Sequence, residues 1–194
     1  EGYSLVGGVD EVGRGALAGP VTAALVIFPP DLSLARIKEV VDSKAINARK
    51  REILSELIKN VCISYSIASA SSNEIDEIGI VPATHLAMKR AVESSIVEPN
   101  YLLVDGLVAL DLKIPSKAIV KGDQISSSIA AASIIAKVSR DHEMAMLHDH
   151  FPQYEFRSNK GYGTKAHLDS LRTIGPNSIH RKTFGPVAAV IRAG

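Results

Sequence analysis

Two apolar stretches of this chain each end on an aspartate, and that pattern limits the fold more than any other. Leu5-Val6-Gly7-Gly8-Val9 runs into Asp10, and Tyr101-Leu102-Leu103-Val104 runs into Asp105. Short apolar runs of this kind read as buried strands. In open α/β sheets ligands gather outside the carboxyl ends of strands, so two such strands would hold their acids at one edge. The alternative is that each Asp starts a turn, helped by Gly13 and Gly106. Three more strands are expected at Val21 to Phe28, Val61 to Ala68 and Lys117 to Val120.

Helical periodicity follows Asn47, where Ile53, Leu54, Leu57, Ile58 and Val61 form one stripe. A second helix after Thr84 carries Met88, Val92 and Ile96. A third is expected from about Gln124 to Ser139, with Ile125, Ile129, Ala132 and Ala136 on one face. It is apolar nearly all round, the mark of a central helix whose small residues let it approach a sheet closely. Shorter helices are expected after Thr164 and Pro186. Strands first, then alternation, then helices give an α/β fold with a five-stranded mixed sheet flanked by helices and a C-terminal helical segment. With 194 residues, 46% of them hydrophobic, the chain is expected to be one domain, with its C-terminal helical extension at about 140–194. The linker-like stretches are short, at Pro29-Pro30-Asp31, Pro99-Asn100 and Phe151 to Gly163.

The longest apolar run, Ala23 to Phe28, is far below the roughly 20 residues that cross a bilayer. No charged-then-apolar leader is read at the start. One cysteine, Cys62, cannot form an internal disulfide, so a cytoplasmic location and no membrane partner are expected. A formal charge of +1 argues against binding polyanions by bulk charge. Its distribution is uneven, however. From Lys121 onward there are ten Lys and Arg against six Asp and Glu, whereas residues 61–120 hold four bases and seven acids. That asymmetry fits a nucleic-acid footprint or an ordinary solvated surface.

Glu11 follows Asp10 directly, and neighbours on a regular strand face opposite sides. Both reach one metal only if the strand ends or bulges there, for which Gly13 and Gly15 give the means. Asp123, in Lys121-Gly122-Asp123, stands three residues before Ser126 and suits the N-cap of the third helix, although a capping carboxylate can still point into a cleft. Clustered carboxylates without Cys or a close His pair favour a hard ion, Mg²⁺ or Mn²⁺, over zinc. Such ions act on phosphates, and a pair of them can activate water and stabilise a leaving oxygen.

Gly13-Arg14-Gly15 would let backbone N–H groups approach a ligand, with Arg14 able to pair a phosphate. Asp42-Ser43-Lys44, Arg49-Lys50-Arg51 and Lys121 are further candidates for phosphates. In Asn159-Lys160-Gly161-Tyr162-Gly163-Thr164-Lys165 the aromatic between lysines could stack on a sugar or base, or be an exposed turn residue. His142, His148, His150, His167 and His180 lack metal spacing and read as surface or capping residues; Asp141 and Glu143 near Arg140 read as local helix pairs.

Taken together, residues 8–15 (Gly-Val-Asp-Glu-Val-Gly-Arg-Gly), Asp42-Ser43-Lys44, Val104-Asp105-Gly106, Lys121-Gly122-Asp123 with the run Ser128 to Asp141, Lys160 to Thr164, Phe151 to Tyr154 and His180 to Pro186 resemble bacterial ribonuclease HII. The resemblance spans residues 7 to about 186. It implies an RNase H-like fold and an endoribonuclease that uses Mn²⁺ or Mg²⁺ bound by Asp10, Glu11, Asp105 and Asp123. It implies hydrolysis of the RNA strand of RNA/DNA hybrids, and cleavage 5′ of single ribonucleotides in duplex DNA by two-metal-ion chemistry leaving 3′-hydroxyl and 5′-phosphate. Gly13, Arg14 and Gly15 would sense the ribose 2′-hydroxyl, Lys44 would contact phosphate and Tyr162 would stack at the RNA-to-DNA junction. Ala45 departs from the family, which often has a second lysine there. Ribonuclease HIII is the rival within the class; nine residues precede Asp10, and HII is therefore expected. A non-catalytic nucleic-acid binding module is the rival outside it. A monomer is expected.

Overall fold

The computed structural model describes residues 2–32 and 47–194; Lys44 and its neighbours Asp42, Ser43 and Ala45 lie outside the described residues. Five strands form one sheet: β1 (Val6–Val12), β2 (Val21–Ile27), β3 (Ser64–Ala70), β4 (Tyr101–Asp105) and β5 (Ser116–Ile119). Their order is β3-β2-β1-β4-β5. β1 pairs antiparallel with β2 and β2 with β3, while β1 with β4 and β4 with β5 run parallel. The sheet is mixed, as expected from the sequence.

The helices are α1 (Ala48–Val61), α2 (Ser72–Ile78), α3 (Ile80–Glu93), α4 (Ser127–His150), α5 (Phe156–Asn159), α6 (Lys165–Ile174) and α7 (Gly185–Ala193). None of them, among the described residues, is long and apolar enough to cross a membrane. β2 is buried on both faces, which explains its unbroken apolar run. Its odd residues, Val21, Ala23, Leu25 and Ile27, pack with Ala83, Ala87, Met88 and Ala91 of α3. Its even residues Ala24 and Val26 pack with Leu54 and Ile58 of α1 and with Ala131, Ile135 and Ala136 of α4. Small side chains let α4 lie directly on β1: a Cβ added at Gly8 would sit 2.2 Å from the backbone carbon of Ser128. Gly8 is therefore fixed by packing, one residue pair before the acids.

Several element boundaries differ from the sequence reading. Val61 ends α1, and β3 starts only at Ser64. Ile96 lies beyond α3 and is 96% exposed. The third expected helix starts at Ser127 and runs on to His150, because Arg140 and Met144 continue its buried stripe after Ala136. The boundary placed at about residue 140 thus falls inside α4. The C-terminal helices pack back onto the loop after β1, with Leu171 and Val187 against Leu17 and Tyr154 and Phe156 against Ala18 and Met144.

Candidate metal centre

The parallel ladder between β1 and β4 ends at Val9 beside Val104, so the next step along it sets Asp10 beside Asp105. β1 itself does not end there. It stays paired with β2 in unbroken register through Val12 beside Thr22. The break expected at Glu11 is therefore absent, and the two acids meet for another reason. Past Val9 one edge of β1 has lost its ladder partner, so side chains from both faces can reach around that edge. Asp10, on the α4 face with Gly8, and Glu11, on the opposite face with Val9, thereby join Asp105: one ligand oxygen from each lies within 4.8 Å of the others.

Asp10 is buried, 5% exposed, and its Oδ1 accepts the Glu11 N–H at 2.7 Å. Burial above all, then the charges of Glu11 and Asp105, push its carboxyl well above the ordinary range, against the pull of a Ser133 hydrogen bond. Burial also raises Glu11, with Asp105 adding to it and Arg14 opposing. Arg14 donates to Glu11 Oε1 at 3.2 Å, so it faces the cluster across its own loop. Glu11 Oε2 is buried and has no hydrogen-bond partner among the described residues. An orphaned carboxylate oxygen beside two further acids fits a hard divalent cation, which would relieve the repulsion and take that oxygen as ligand.

Asp105 is held by the Gly122 N–H, which donates to its Oδ1 at 2.6 Å. That bond brings the 3₁₀ turn Gly122–Gln124, with Asp123 in it, against the end of β4. Asp123 stands outside the three-acid group and is half-buried. It is not the N-cap of α4: Ser126 takes that place, the intervening turn having separated Asp123 from the helix. Lys121, before the turn, adopts a left-handed φ of 55°.

The loop after β1 is shaped by glycine. Gly13 has φ 92°, and a Cβ there would lie 2.2 Å from Arg140 Nε. At Gly15 a Cβ would meet nothing within 4 Å, so that position faces open space. Tyr162 is half-buried at the end of the neighbouring loop, its ring 5.6 Å from the Arg140 guanidinium. The structure thus gathers Asp10, Glu11, Asp105, Gly13, Arg14 and Gly15, and sets Asp123 and Tyr162 on adjoining loops.

Sequence reasoning missed the groups beneath these loops. Arg140 and Arg181 are both fully buried; burial and then the charge of Arg140 hold Arg181 down at about 9. Arg140 does not pair with Asp141, whose partners are Lys137 at 2.6 Å and Arg51 at 3.9 Å. Its position four residues after Ala136, on the buried stripe, was a signal for this. His167 and His180 are fully buried too, Nε2 to Nε2 at 3.0 Å. Their proton pattern follows from the carbonyl at one end. His167 Nδ1 must donate to the Tyr162 carbonyl at 2.9 Å, leaving its Nε2 to accept from His180. His180 Nδ1 lies 2.6 Å from Asn177 Oδ1 and 3.1 Å from the Asn177 main-chain nitrogen, so Asn177 holds the outer end of the pair. Burial, and next His167, lower His180 to about 4, so the ring stays neutral. These histidines brace the Tyr162 loop and are neither surface nor capping residues.

The fold is shared with the ribonuclease H2 of Pyrococcus horikoshii OT3, at a TM-score of 0.83 and 24% identity over 97% of this chain and 98% of that one. It is shared also with Bst-RNase HIII, solved in complex with Mn²⁺, at 0.72 and 17% over 99% and 70%. A profile for ribonuclease HII matches residues 7–187. A ribonuclease HII of Desulfitobacterium hafniense strain Y51 is 52% identical over 186 residues, 96% of this chain and 70% of the relative. One of Syntrophus aciditrophicus strain SB is 49% identical over 184 residues, 95% and 85%. Fold and ribonuclease HII relatives together define an endonuclease of the ribonuclease H type, with an acidic cluster that suits a divalent metal. Within that class the chain belongs to the ribonuclease HII family, whose activity is on RNA/DNA hybrids.

Proposed function

We propose that this protein, besides hydrolysing the RNA strand of hybrids, cuts duplex DNA on the 5′ side of a single embedded ribonucleotide, leaving a 3′-hydroxyl and a 5′-phosphate. The observation that carries the reading is the meeting of Asp10, Glu11 and Asp105 within 4.8 Å beside a glycine loop whose Gly15 faces open space. Asp10, Glu11 and Asp105, with Asp123 from the adjoining turn, would hold two divalent ions, Mn²⁺ or Mg²⁺. Bound there, the ions supply an activated water and neutralise charge on the leaving oxygen. The chain's own part is position. The N–H groups of the loop at Gly13, Arg14 and Gly15 read the 2′-hydroxyl, which distinguishes RNA from DNA. Tyr162 stacks at the RNA-to-DNA junction, and Lys44 is assigned to phosphate on its motif alone. A binding module has no use for three carboxylates packed together, one buried, so the catalytic reading is preferred. A cytoplasmic location, supported by the lone thiol of Cys62, and a monomeric state complete the proposal.

The test is a DNA duplex with one ribonucleotide, incubated with Mn²⁺, Mg²⁺ or chelator. Metal-dependent incision at the 5′ side is expected. Cleavage confined to longer RNA runs would restrict the function to hybrids.

A further inference from the structure

Arg140 and Arg181 are the two largest fully buried side chains of the described residues, and burying a guanidinium is costly unless its donors are satisfied. Among the described residues, every hydrogen bond they make ends on a main-chain carbonyl. Arg181 donates to Gly13 and Arg14 at 2.7 Å each and to Gly19 at 3.0 Å. Arg140 donates to Pro20 at 2.9 Å, Ala18 at 3.2 Å and Lys160 at 2.9 Å. Five of these carbonyls belong to the loop after β1; the sixth belongs to the loop that carries Tyr162. The Leu17 N–H donates to the Gly161 carbonyl at 2.8 Å and the Arg181 N–H to the Leu17 carbonyl at 2.9 Å. There is no room for slippage: a Cβ on Gly161 would lie 2.4 Å from the Ala18 oxygen.

The direction of these bonds matters more than their number. In a trans peptide the C=O and the following N–H point opposite ways across one plane. Arg181 draws the carbonyls of Gly13 and Arg14 inward, so the N–H groups of Arg14 and Gly15 are turned outward. Neither N–H has an acceptor among the described residues, and the loop is open at Gly15, where an added Cβ would meet nothing within 4 Å. Two adjacent N–H donors aimed the same way suit a hydroxyl or phosphate oxygen. Only a planar fork with several fixed donors can hold both peptide planes at once; an ammonium on a flexible stem cannot.

We propose that Arg181, seconded by Arg140, is a positioning residue of the ribose-reading site, aiming the Arg14 and Gly15 N–H groups at the 2′-hydroxyl and welding their loop to that of Tyr162. This rests on the functional reading above and adds to it a residue that never touches substrate. Arg181→Lys keeps the charge but not the fork. On a duplex with one ribonucleotide its kcat should fall by about 10- to 100-fold, the scale of a misplaced contact. KM and Mn²⁺ affinity, measured by calorimetry without substrate, should stay within about twofold. Wild-type kcat in Arg181→Lys overturns the proposal, and so does a loss of Mn²⁺ affinity as large as the loss of kcat, which would mark a general structural role.

If Arg181→Lys does not fold, the wild-type protein decides. With Ca²⁺ and an uncut duplex, the amide resonances of Arg14 and Gly15 should shift more with one ribonucleotide present than with DNA throughout. Equal shifts overturn the proposal. A wild-type protein that cuts neither hybrid nor ribonucleotide-containing duplex overturns the functional reading and this inference with it, whereas an active wild type matched by Arg181→Lys overturns the inference alone.

Discussion

Asp10→Asn should make the metal-free protein more stable while depriving it of metal, and the size of both effects follows from the cluster. The ligand oxygens of Asp10, Glu11 and Asp105 lie within 4.8 Å of one another. At an effective dielectric constant of about 20, like charges at that distance repel by roughly 3 kcal/mol per pair. Asp10 has two such neighbours and is buried besides, but its raised pKa means that part of this repulsion is already relieved by protonation. A net gain of about 2 kcal/mol is expected, or roughly 4–8 °C in Tm for a domain of this size. The substitution is nearly isosteric, and the Asn oxygen can still accept the Glu11 N–H that Asp10 holds at 2.7 Å.

The sign with pH is fixed by the direction of the shift. A carboxyl raised in the fold contributes stability below its unfolded pKa, near ~3.9, and loses it as pH rises through the folded value. Metal-free wild type should therefore weaken across that window more than Asp10→Asn. Mn²⁺ at about a hundredfold its Kd adds about 2.7 kcal/mol to a protein that binds it. Thermal melts in chelator and in Mn²⁺ should thus cross over: the variant melts higher in chelator, the wild type higher in Mn²⁺. A variant that melts lower in chelator, or that Mn²⁺ stabilises as much as wild type, would refute the reasoning.

Tyr162→Ala should slow cutting at a lone ribonucleotide about tenfold or more, since stacking contributes about 1–3 kcal/mol per base, with Mn²⁺ affinity unchanged; identical kinetics would remove Tyr162 from the site. His180 is neutral in the fold, with its pKa lowered to about 4 against about 6.5 unfolded. The stability it contributes is complete above the unfolded value and is lost as pH falls through the folded one. Between about pH 7 and pH 5 that loss amounts to about 2 kcal/mol, so urea melts should show wild type weakening more than His180→Gln, and parallel slopes would show that the ring is not held neutral.

Much of the architecture was legible because burial leaves a periodic trace. Val21 to Ile27 read as a buried strand, and Ile129, Ala132 and Ala136 as the face of a central helix, because apolar spacing is set by the element itself. Asp10 and Asp105 stood out as acids at the ends of such runs. The way Glu11 joins them was not legible, because it depends on where the partner strand β4 stops, and pairing length has no local signature. Asp123 has the spacing of a helix cap, yet a 3₁₀ turn intervenes. Arg140, Arg181, His167 and His180 were hidden for the opposite reason: polar residues default to the surface, and what buries these four is a set of carbonyls and rings remote in sequence.

The central claim is that the carboxylates at the end of β1 and β4 form a metal centre, and anomalous scattering from crystals of the wild-type protein soaked in Mn²⁺ tests it most directly. The expected result is a Mn²⁺ peak within bonding distance of Asp10 and Asp105, adjacent to Glu11 and lost in Asp10→Asn. Crystals that show no peak there at millimolar Mn²⁺, or a peak only elsewhere on the surface, would contradict it.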